Sequence, residues 1–194
     1  LLRAGEGQRV MDLIRETLIR KEQVYVVYPL VEESEKMDLR SALESGELIA
    51  RSFPNHKVDV VHGRLDSADR QAAMLRFSSG ESAILVATTV IEVGIDVPNA
   101  SVMIIEHAER FGLSQLHQLR GRVGRGGAES HCILVAEPGE DALERLTVFR
   151  DTTDGFEVAR ADLRIRGQGD LFGSQQHGRD PALRFADLLA DEDL

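Results

Sequence analysis

Five short aliphatic segments recur along the chain and constrain its fold more than any other feature. They lie at residues 23–30, 57–61, 83–87, 101–105 and 131–136. Helical patterns separate them, at residues 8–20, 34–50, 67–77, 113–122 and 139–150. Most of the aliphatic runs are continuous rather than alternating, which is typical of parallel strands covered on both faces by helices. The pattern therefore predicts a three-layer α/β domain with a parallel sheet over residues 1–150.

The chain after residue 150 has a different composition. Glycine stands at positions 155, 167, 169, 173 and 178, and no aliphatic strand follows. We expect two short helices joined by a glycine-rich turn, and a last amphipathic helix at 181–190. Residues 151–194 thus form a helical hairpin tail that packs against another part of the protein. Serines at helix starts, Ser34 and Ser67, are the expected N-caps.

Composition excludes several classes of protein. No apolar run approaches the roughly 18 residues that span a membrane, and no signal peptide is seen. The only cysteine, Cys132, lies in a predicted strand, so we expect a buried structural thiol and a cytoplasmic setting. The six histidines show no pairing typical of a metal site. The chain starts at Leu1 rather than Met, and we expect it to be a piece of a longer protein.

Charge gives a mixed indication about nucleic acid. The formal net charge of −10 argues weakly against a simple nucleic-acid binder. Residues 106–127, however, hold four arginines and two glutamates, a local excess of two positive charges. This segment is either a phosphate-binding surface on an acidic body or an ordinary solvated basic loop.

The sequence from Gln118 to Arg125 is the first candidate site. It has the spacing Q-x-x-G-R-x-G-R after a predicted helix, and Arg122 and Arg125 are three residues apart. Guanidinium groups are permanently charged and planar, so they suit a γ-phosphate. Glycines at 121 and 124 let a phosphate or another backbone come close. The alternative is a basic loop of the kind found in RGG segments.

The second candidate site follows the third aliphatic strand. Hydroxyl, carboxylate and glycine residues lie there, just past the carboxyl end of a predicted parallel strand, where such sheets bind ligands. A hydroxyl can donate to a nucleic-acid phosphate, and a carboxylate can accept from a ribose hydroxyl. The residues are Thr88, Thr89, Glu92, Gly94 and Asp96. The alternative is a plain loop with helix-capping threonines.

These two blocks, in this order, resemble motifs V and VI of superfamily 2 helicases. Residues 25–35, YVVYPLVEESE, and 60–65, VVHGRL, resemble the two preceding motifs. The segment EHAERFGLSQLHQLRGRVGRG resembles RecG helicases nearly throughout, and the resemblance covers essentially the whole chain. It implies a RecA-like second motor domain in which Arg122, Arg125 and Gln118 serve catalysis. It further implies that Gly94, Asp96 and Glu92 bind nucleotide, while Thr88, Thr89 and residues 62–64 (His62, Gly63, Arg64) contact DNA.

The tail resembles the translocation motif shared by RecG and the transcription-repair coupling factor. In that motif a helical hairpin is thought to convert ATP-driven closure into movement along duplex DNA. Arg166 and Gln176 match its recurrent Arg and Gln. Two positions depart from it: Gln168 replaces the usual proline, and Gln175 replaces a basic residue. The rigidity of the hairpin and one charged contact are therefore in question.

Only half of an ATPase site is present in the sequence. It contains no G-x-x-x-x-G-K-[ST] phosphate loop, and no Asp-Glu pair follows an aliphatic strand. The resemblance implies that ATP and Mg²⁺ are held mainly by a first motor domain, so this piece alone is expected to be inactive. It also implies branched or duplex DNA, the N-terminal motor and wedge domains as partners, and a bacterial, nucleoid-associated location.

Three alternatives remain open at this point. The chain could come from a transcription-repair coupling factor, although TTDGF and the ending ADLLADEDL resemble RecG more. It could be a non-catalytic binding module, against which both retained arginines of the Q-x-x-G-R-x-G-R segment argue. An RNA helicase is disfavoured because the tail motif belongs to translocases on duplex DNA.

Overall fold

The structure is a computed structural model that describes residues 1–30, 35–88, 97–126 and 129–170. The strands are β1 (Leu2–Arg3), β2 (Gln23–Tyr28), β3 (Val58–Val61), β4 (Ile84–Thr88), β5 (Ala100–Ile105) and β6 (His131–Ala136). The helices are α1 (Gly7–Ile19), α2 (Glu35–Ser52), α3 (Ser67–Ser78), α4 (Leu113–Arg120), α5 (Glu140–Asp151) and α6 (Gly155–Asp170). All five predicted strands are confirmed. The two-residue strand β1 is too short to leave a pattern in the sequence.

The six strands form one parallel sheet in the order β1-β6-β5-β2-β4-β3. Central strand β2 lies between β4 and β5, so the chain crosses from one half of the sheet to the other after β4. Because all strands run the same way, their carboxyl ends share one edge of the sheet and their amino ends share the opposite edge. These two edges position the candidate sites.

Helices cover both faces of the sheet, which confirms the predicted three-layer architecture. One face packs on α1 and α2, where Val10, Ile14 and Ile49 meet Val24 and Val26 of β2. The opposite face packs on α3 to α6; its helical members include Phe77, Leu116, Leu146, Phe149 and Val158. All five residues of β4 are buried, as expected of a strand covered on both sides.

The start of α3 differs by one residue from the prediction. Asp66, not Ser67, is the N-cap, and its carboxylate accepts a hydrogen bond of 2.7 Å from the backbone N–H of Asp69. The prediction of Ser67 was wrong because an aspartate one residue earlier caps equally well and already has extended backbone angles. The other predicted cap, Ser34, lies outside the described residues.

The tail also differs from the prediction. Helix α6 continues through Gly167 and Gly169 to Asp170, so no turn breaks it at those glycines. A glycine in a helix costs about 1 kcal/mol relative to alanine, which disfavours a helix without forbidding it. Val158 and Ala161 of α6 are buried in the same core as α4 and α5. The beginning of the tail is therefore packed on the α/β domain itself, and the hairpin's second arm lies outside the described residues.

Cys132 of β6 is partly buried and packs against the core on the α3–α6 face. Burial raises the pKa of its thiol to about 11. At pH 8 a free cysteine is about a quarter thiolate, whereas a thiol of that pKa is thiolate to the order of 10⁻³. We therefore expect alkylation at Cys132, followed by peptide mass spectrometry, to be about 100-fold slower in the native protein than after denaturation. Equal rates in the two states would contradict the structural role of the thiol.

No helix within the described ranges is both long and apolar enough to cross a membrane.

Candidate functional site

The two arginines of the first candidate site lie in a turn that follows α4. The helix ends at Arg120, and the backbone N–H of Arg122 donates to the carbonyl of Leu119 at 2.9 Å. Val123 between the arginines is buried and anchors the turn to the core. Arg125 is exposed, and its Nε donates to the carbonyl of Gly121 at 2.9 Å. We call residues 121–126 the arginine loop.

Two glycines bring the arginine loop against the start of β5. Gly124 has a φ of +81°, in the left-handed region, and its N–H donates to the carbonyl of Ala100 at 3.2 Å. A Cβ on Gly126 would stand closer than 3.0 Å to the backbone oxygen of Pro98. Gly121, in contrast, has only ordinary contacts around its Cβ position. Sequence reasoning chose Gly121 and Gly124, and it missed Gly126.

Gln118 occupies a different position from the arginine loop. It is exposed on α4 and lines a cleft of about 370 Å³ between α4 and α6. Ser114 and His117 of α4 line the same cleft, and Val158 and Leu163 line it from α6. The glutamine of the motif therefore faces the tail helix.

Four of the predicted DNA contacts lie at the carboxyl edge of the sheet. His62, Gly63 and Arg64 directly follow β3, and Thr88 is the last residue of β4. Val61 pairs with Ala87, so His62 and Thr88 are neighbours at the ends of adjacent strands. The side chain of Thr88 is fully buried, and its Oγ1 has no hydrogen-bond partner within the described part of the chain.

Thr88, the one described residue of the second candidate site, thus lies at the opposite edge of the sheet from the arginine loop. Thr88 ends β4 at the carboxyl edge, whereas the arginine loop contacts Pro98 and Ala100 at the amino end of β5. The segment between them carries Thr89, Glu92, Gly94 and Asp96, and all four lie outside the described residues, as does Gln176. Arg166 falls on α6, but its side chain is outside the described part.

Residues 8–127 match the family of helicase conserved C-terminal domains, and residues 152–194 match the C-terminal part of domain 3 of the ATP-dependent DNA helicase RecG. The first match covers well over half of the chain. This chain belongs to the family of helicase C-terminal domains.

Similar proteins confirm that it is of the RecG type. The RecG helicase of Thermotoga maritima is 51% identical over 184 residues, which cover 94% of this chain and 24% of that protein. RecG of Bacillus subtilis is 44% identical, with 94% of this chain and 27% of that protein covered. A solved structure of RecG bound to a three-way DNA junction is 46% identical to this chain, with a TM-score of 0.75. The match covers 92% of this chain and 23% of the RecG chain in that structure. This RecG-type chain spans about a quarter of the length of the relatives it matches.

A residue that sequence reasoning missed holds the His62–Leu65 turn in place. Arg70 of α3 donates through Nη2 to the carbonyl of Leu65 at 2.9 Å and to that of Gly63 at 3.4 Å. Burial lowers the pKa of His62, and the charges of Arg64 and Arg70 lower it further, so the environment favours the neutral imidazole. The turn therefore carries its positive charge on the arginines. The signal in the sequence was weak: one arginine in the first turn of α3.

The carboxyl edge of the sheet is less favourable to phosphate at the ends of β2 and β5 than at the end of β3. Val27 pairs with Ile105, so Tyr28 and Glu106 lie side by side at the ends of β2 and β5. Burial raises the pKa of Glu106, and burial together with the Glu106 charge raises that of Tyr28 to about 12. A carboxyl group repels phosphate when ionised. Arg64 and Arg70 thus place positive charge beside the end of β3, whereas β2 ends with a tyrosine and β5 is followed by a carboxyl group.

A partly buried ion pair joins the segment between β5 and α4 to helix α2. Arg110 binds Asp38 of α2 through both guanidinium Nη atoms, one of them at 3.0 Å from Oδ2. The Asp38 side chain is 4% exposed and that of Arg110 is 26% exposed. Bidentate pairs of this kind set geometry as well as contributing energy. The pair links α2, on one face of the sheet, to the segment that leads into α4 on the other face.

No group of three or more His, Cys, Asp or Glu that could hold a metal ion occurs among the described residues.

Proposed function

We propose that this chain is the second motor domain of an ATP-dependent translocase that remodels branched DNA in recombination and repair. The proposal rests on the contacts of the arginine loop with Pro98 and Ala100, at the end of the segment that resembles motif V. Gly124, Gly126 and the buried Val123 fix the loop in this position. The backbone that carries Arg122 and Arg125 is therefore rigid. Preorganised positive charge is what phosphoryl transfer requires of a protein.

In this proposal ATP binds between a first motor domain and the arginine loop. Arg122 and Arg125 stabilise the negative charge that develops on the γ-phosphate, and Gly94, Asp96 and Glu92 contact the nucleotide. The guanidinium groups of the loop fit a polyphosphate by charge and planarity. ATP and Mg²⁺ are both held mainly by the first motor domain. Gln118 couples the two domains, and its position beside α6 extends that coupling to the tail.

DNA binds at the carboxyl edge in this proposal. Gly63 and Arg64 are exposed after β3, and Arg70 orders the turn that carries them. Backbone N–H groups and an arginine are common phosphate contacts. Thr88 and Thr89 complete the surface with His62. Since the Thr88 hydroxyl is fully buried, its contact with a phosphate requires a rearrangement of the neighbouring segment.

The tail transmits the motion to duplex DNA in this proposal. Helix α6 starts against α4 and carries Arg166, and Gln176 follows it in the chain. The RecG structure similar to this chain is bound to a three-way DNA junction, which supports branched DNA as the substrate class. Arg166 and Gln176, which match the recurrent Arg and Gln of the translocation motif, serve DNA binding and translocation. We place the whole protein in the bacterial cytoplasm, at the nucleoid, with motor and wedge domains in the same polypeptide.

The test compares ATP hydrolysis by a full-length protein carrying this chain with hydrolysis by residues 1–194 alone. We expect a model replication fork to stimulate the full-length protein strongly and the isolated chain to hydrolyse no ATP. A full-length protein that binds forks without hydrolysing ATP would instead be a non-catalytic binding module. Hydrolysis by residues 1–194 alone would contradict the division of the site between two domains.

A further inference from the structure

Arg120, the last residue of α4, connects α4 to the end of α5 and to the turn between α5 and α6 through its guanidinium group. Nη1 donates to the carbonyl of Phe149 at 3.0 Å and to that of Thr152 at 2.7 Å. The guanidinium carbon lies 4.3 Å from the centre of the Phe149 ring, which it covers. Nη2 lies 3.2 Å from Nδ1 of His117, one turn earlier on α4. The side chain is only partly exposed.

The two carbonyls belong to the end of α5 and to the residue after it. Helix α5 ends at Asp151, so Phe149 is in its last turn and Thr152 is its C-cap. Carbonyl groups at a helix C-terminus lack helical partners and carry partial negative charge, which makes a guanidinium an effective cap. Arg120 thus fixes the C-terminus of α5 and the start of the α5–α6 turn to α4.

His117 extends the same attachment to the start of α6. A Cβ added to Gly155, the first residue of α6, would lie 3.2 Å from Nε2 of His117. The imidazole ring therefore lies between Arg120 and the first turn of the tail helix. Together the two side chains form a contact surface on α4 for residues 152–155, which connect α5 to α6.

We infer that Arg120 is a positioning residue that transmits movement of the arginine loop to the tail helix. The inference rests on the function proposed above. Arg120 stands two residues before Arg122, at the junction between α4 and the arginine loop, so a shift of the loop on the γ-phosphate moves the guanidinium. The α5–α6 turn follows because two hydrogen bonds and a ring contact tie it to that guanidinium. The residue affects the coupling of hydrolysis to movement on DNA, not hydrolysis itself.

The experiment measures fork unwinding per ATP hydrolysed in the full-length protein with Arg120→Gln or Arg120→Lys. Glutamine removes the charge and the fork of donors, and lysine keeps the charge without the planar group that spans two carbonyls and stacks on a ring. We expect fork-stimulated hydrolysis to stay within about threefold of wild type in both variants, while unwinding per ATP falls about tenfold or more in Arg120→Gln and less in Arg120→Lys. Arg150→Gln is the matched control, because Arg150 lies next to Phe149 in the last turn of α5. In the described part of the chain its partner is the neighbouring Asp151, at an exposed position.

A second variant keeps the inference testable if Arg120→Gln melts at a much lower temperature than wild type. Gly155→Ala leaves Arg120 intact and presses on His117, so it should also lower unwinding per ATP without lowering the rate of hydrolysis. An unchanged ratio in folded Arg120→Gln, or a parallel loss of hydrolysis and unwinding, would overturn the inference. Failure of the wild-type protein to unwind any fork would overturn the proposed function itself, and the two failures are distinguished by the wild-type measurement.

Discussion

Replacing Arg122 with alanine should reduce fork-stimulated ATP hydrolysis by the full-length protein by about 10³-fold or more. An arginine that stabilises the transferring phosphoryl group contributes about 10³ to 10⁵ to the rate. Arg122 is partly buried, its backbone is hydrogen-bonded to α4, and its neighbour Val123 is anchored in the core. Its backbone is thus fixed in a loop that contacts the amino end of β5, and the arginine loop contains no lysine or histidine that could replace it.

The measurement is steady-state hydrolysis with a model fork, alongside fork binding and thermal unfolding of the same variant. Because the proposed fork contacts after β3 and β4 lie at the opposite edge of the sheet, binding should stay within about threefold, consistent with independent distant sites. Arg51→Ala is the matched control: Arg51 is an exposed arginine at the end of α2, and its partner within the described residues is Glu47 on the same helix. Hydrolysis by Arg122→Ala at the level of this control would exclude the arginine from the phosphoryl-transfer step.

The fold was predictable because its evidence is local. The runs at 83–87 and 101–105 contain no polar residue on either face except a terminal serine, and only a strand covered on both sides tolerates such a run. Parallel pairing and two helical layers follow from that one property. The N-cap at Asp66 and the helix through Gly167 and Gly169 were predicted wrongly because local preferences are weak there. Capping and glycine propensities amount to about 1 kcal/mol, and contacts with the rest of the protein outweigh them.

The candidate site was predictable in composition but not in placement. Spacing identified Gln118, Arg122 and Arg125, but only the second candidate site was assigned a place on the sheet, at the carboxyl end of a strand. The arginine loop lies instead at the amino end of β5, because α4 runs back along the sheet before the loop begins. The roles of these residues, and those of Gly94 and Asp96, stay predictions.

Contacts between distant parts of the chain could not be inferred from the sequence. Arg120 binds carbonyls 29 and 32 residues away, and Arg110 pairs with Asp38 at a separation of 72 residues. In the sequence both arginines counted only as charge in a basic segment. Their partners are backbone atoms or a single carboxylate, which leave no pattern of residue types to recognise.

Gly126→Ala should lower hydrolysis by the order of 10²-fold even though it removes no charge. Its new Cβ would stand closer than 3.0 Å to the carbonyl oxygen of Pro98, a rigid backbone atom, so either the arginine loop or the segment before β5 must move. A displacement of about 1 Å in a phosphoryl-transfer site can cost that much. We therefore expect a fall in the turnover number with fork binding preserved, measured by fork-stimulated hydrolysis at saturating ATP and at a range of ATP concentrations.

Gly139→Ala supplies the comparison, because no atom of the described ranges lies within 4 Å of its Cβ position at the start of α5. That variant should hydrolyse ATP within about twofold of wild type, since an exposed substitution without a close contact seldom changes stability by more than about 0.5 kcal/mol. If Gly126→Ala behaves like Gly139→Ala, the arginine loop tolerates displacement from Pro98. The contacts of the loop with Pro98 and Ala100 would then have no part in aligning Arg122 and Arg125. The alignment would have to come from the first motor domain when the cleft closes on ATP.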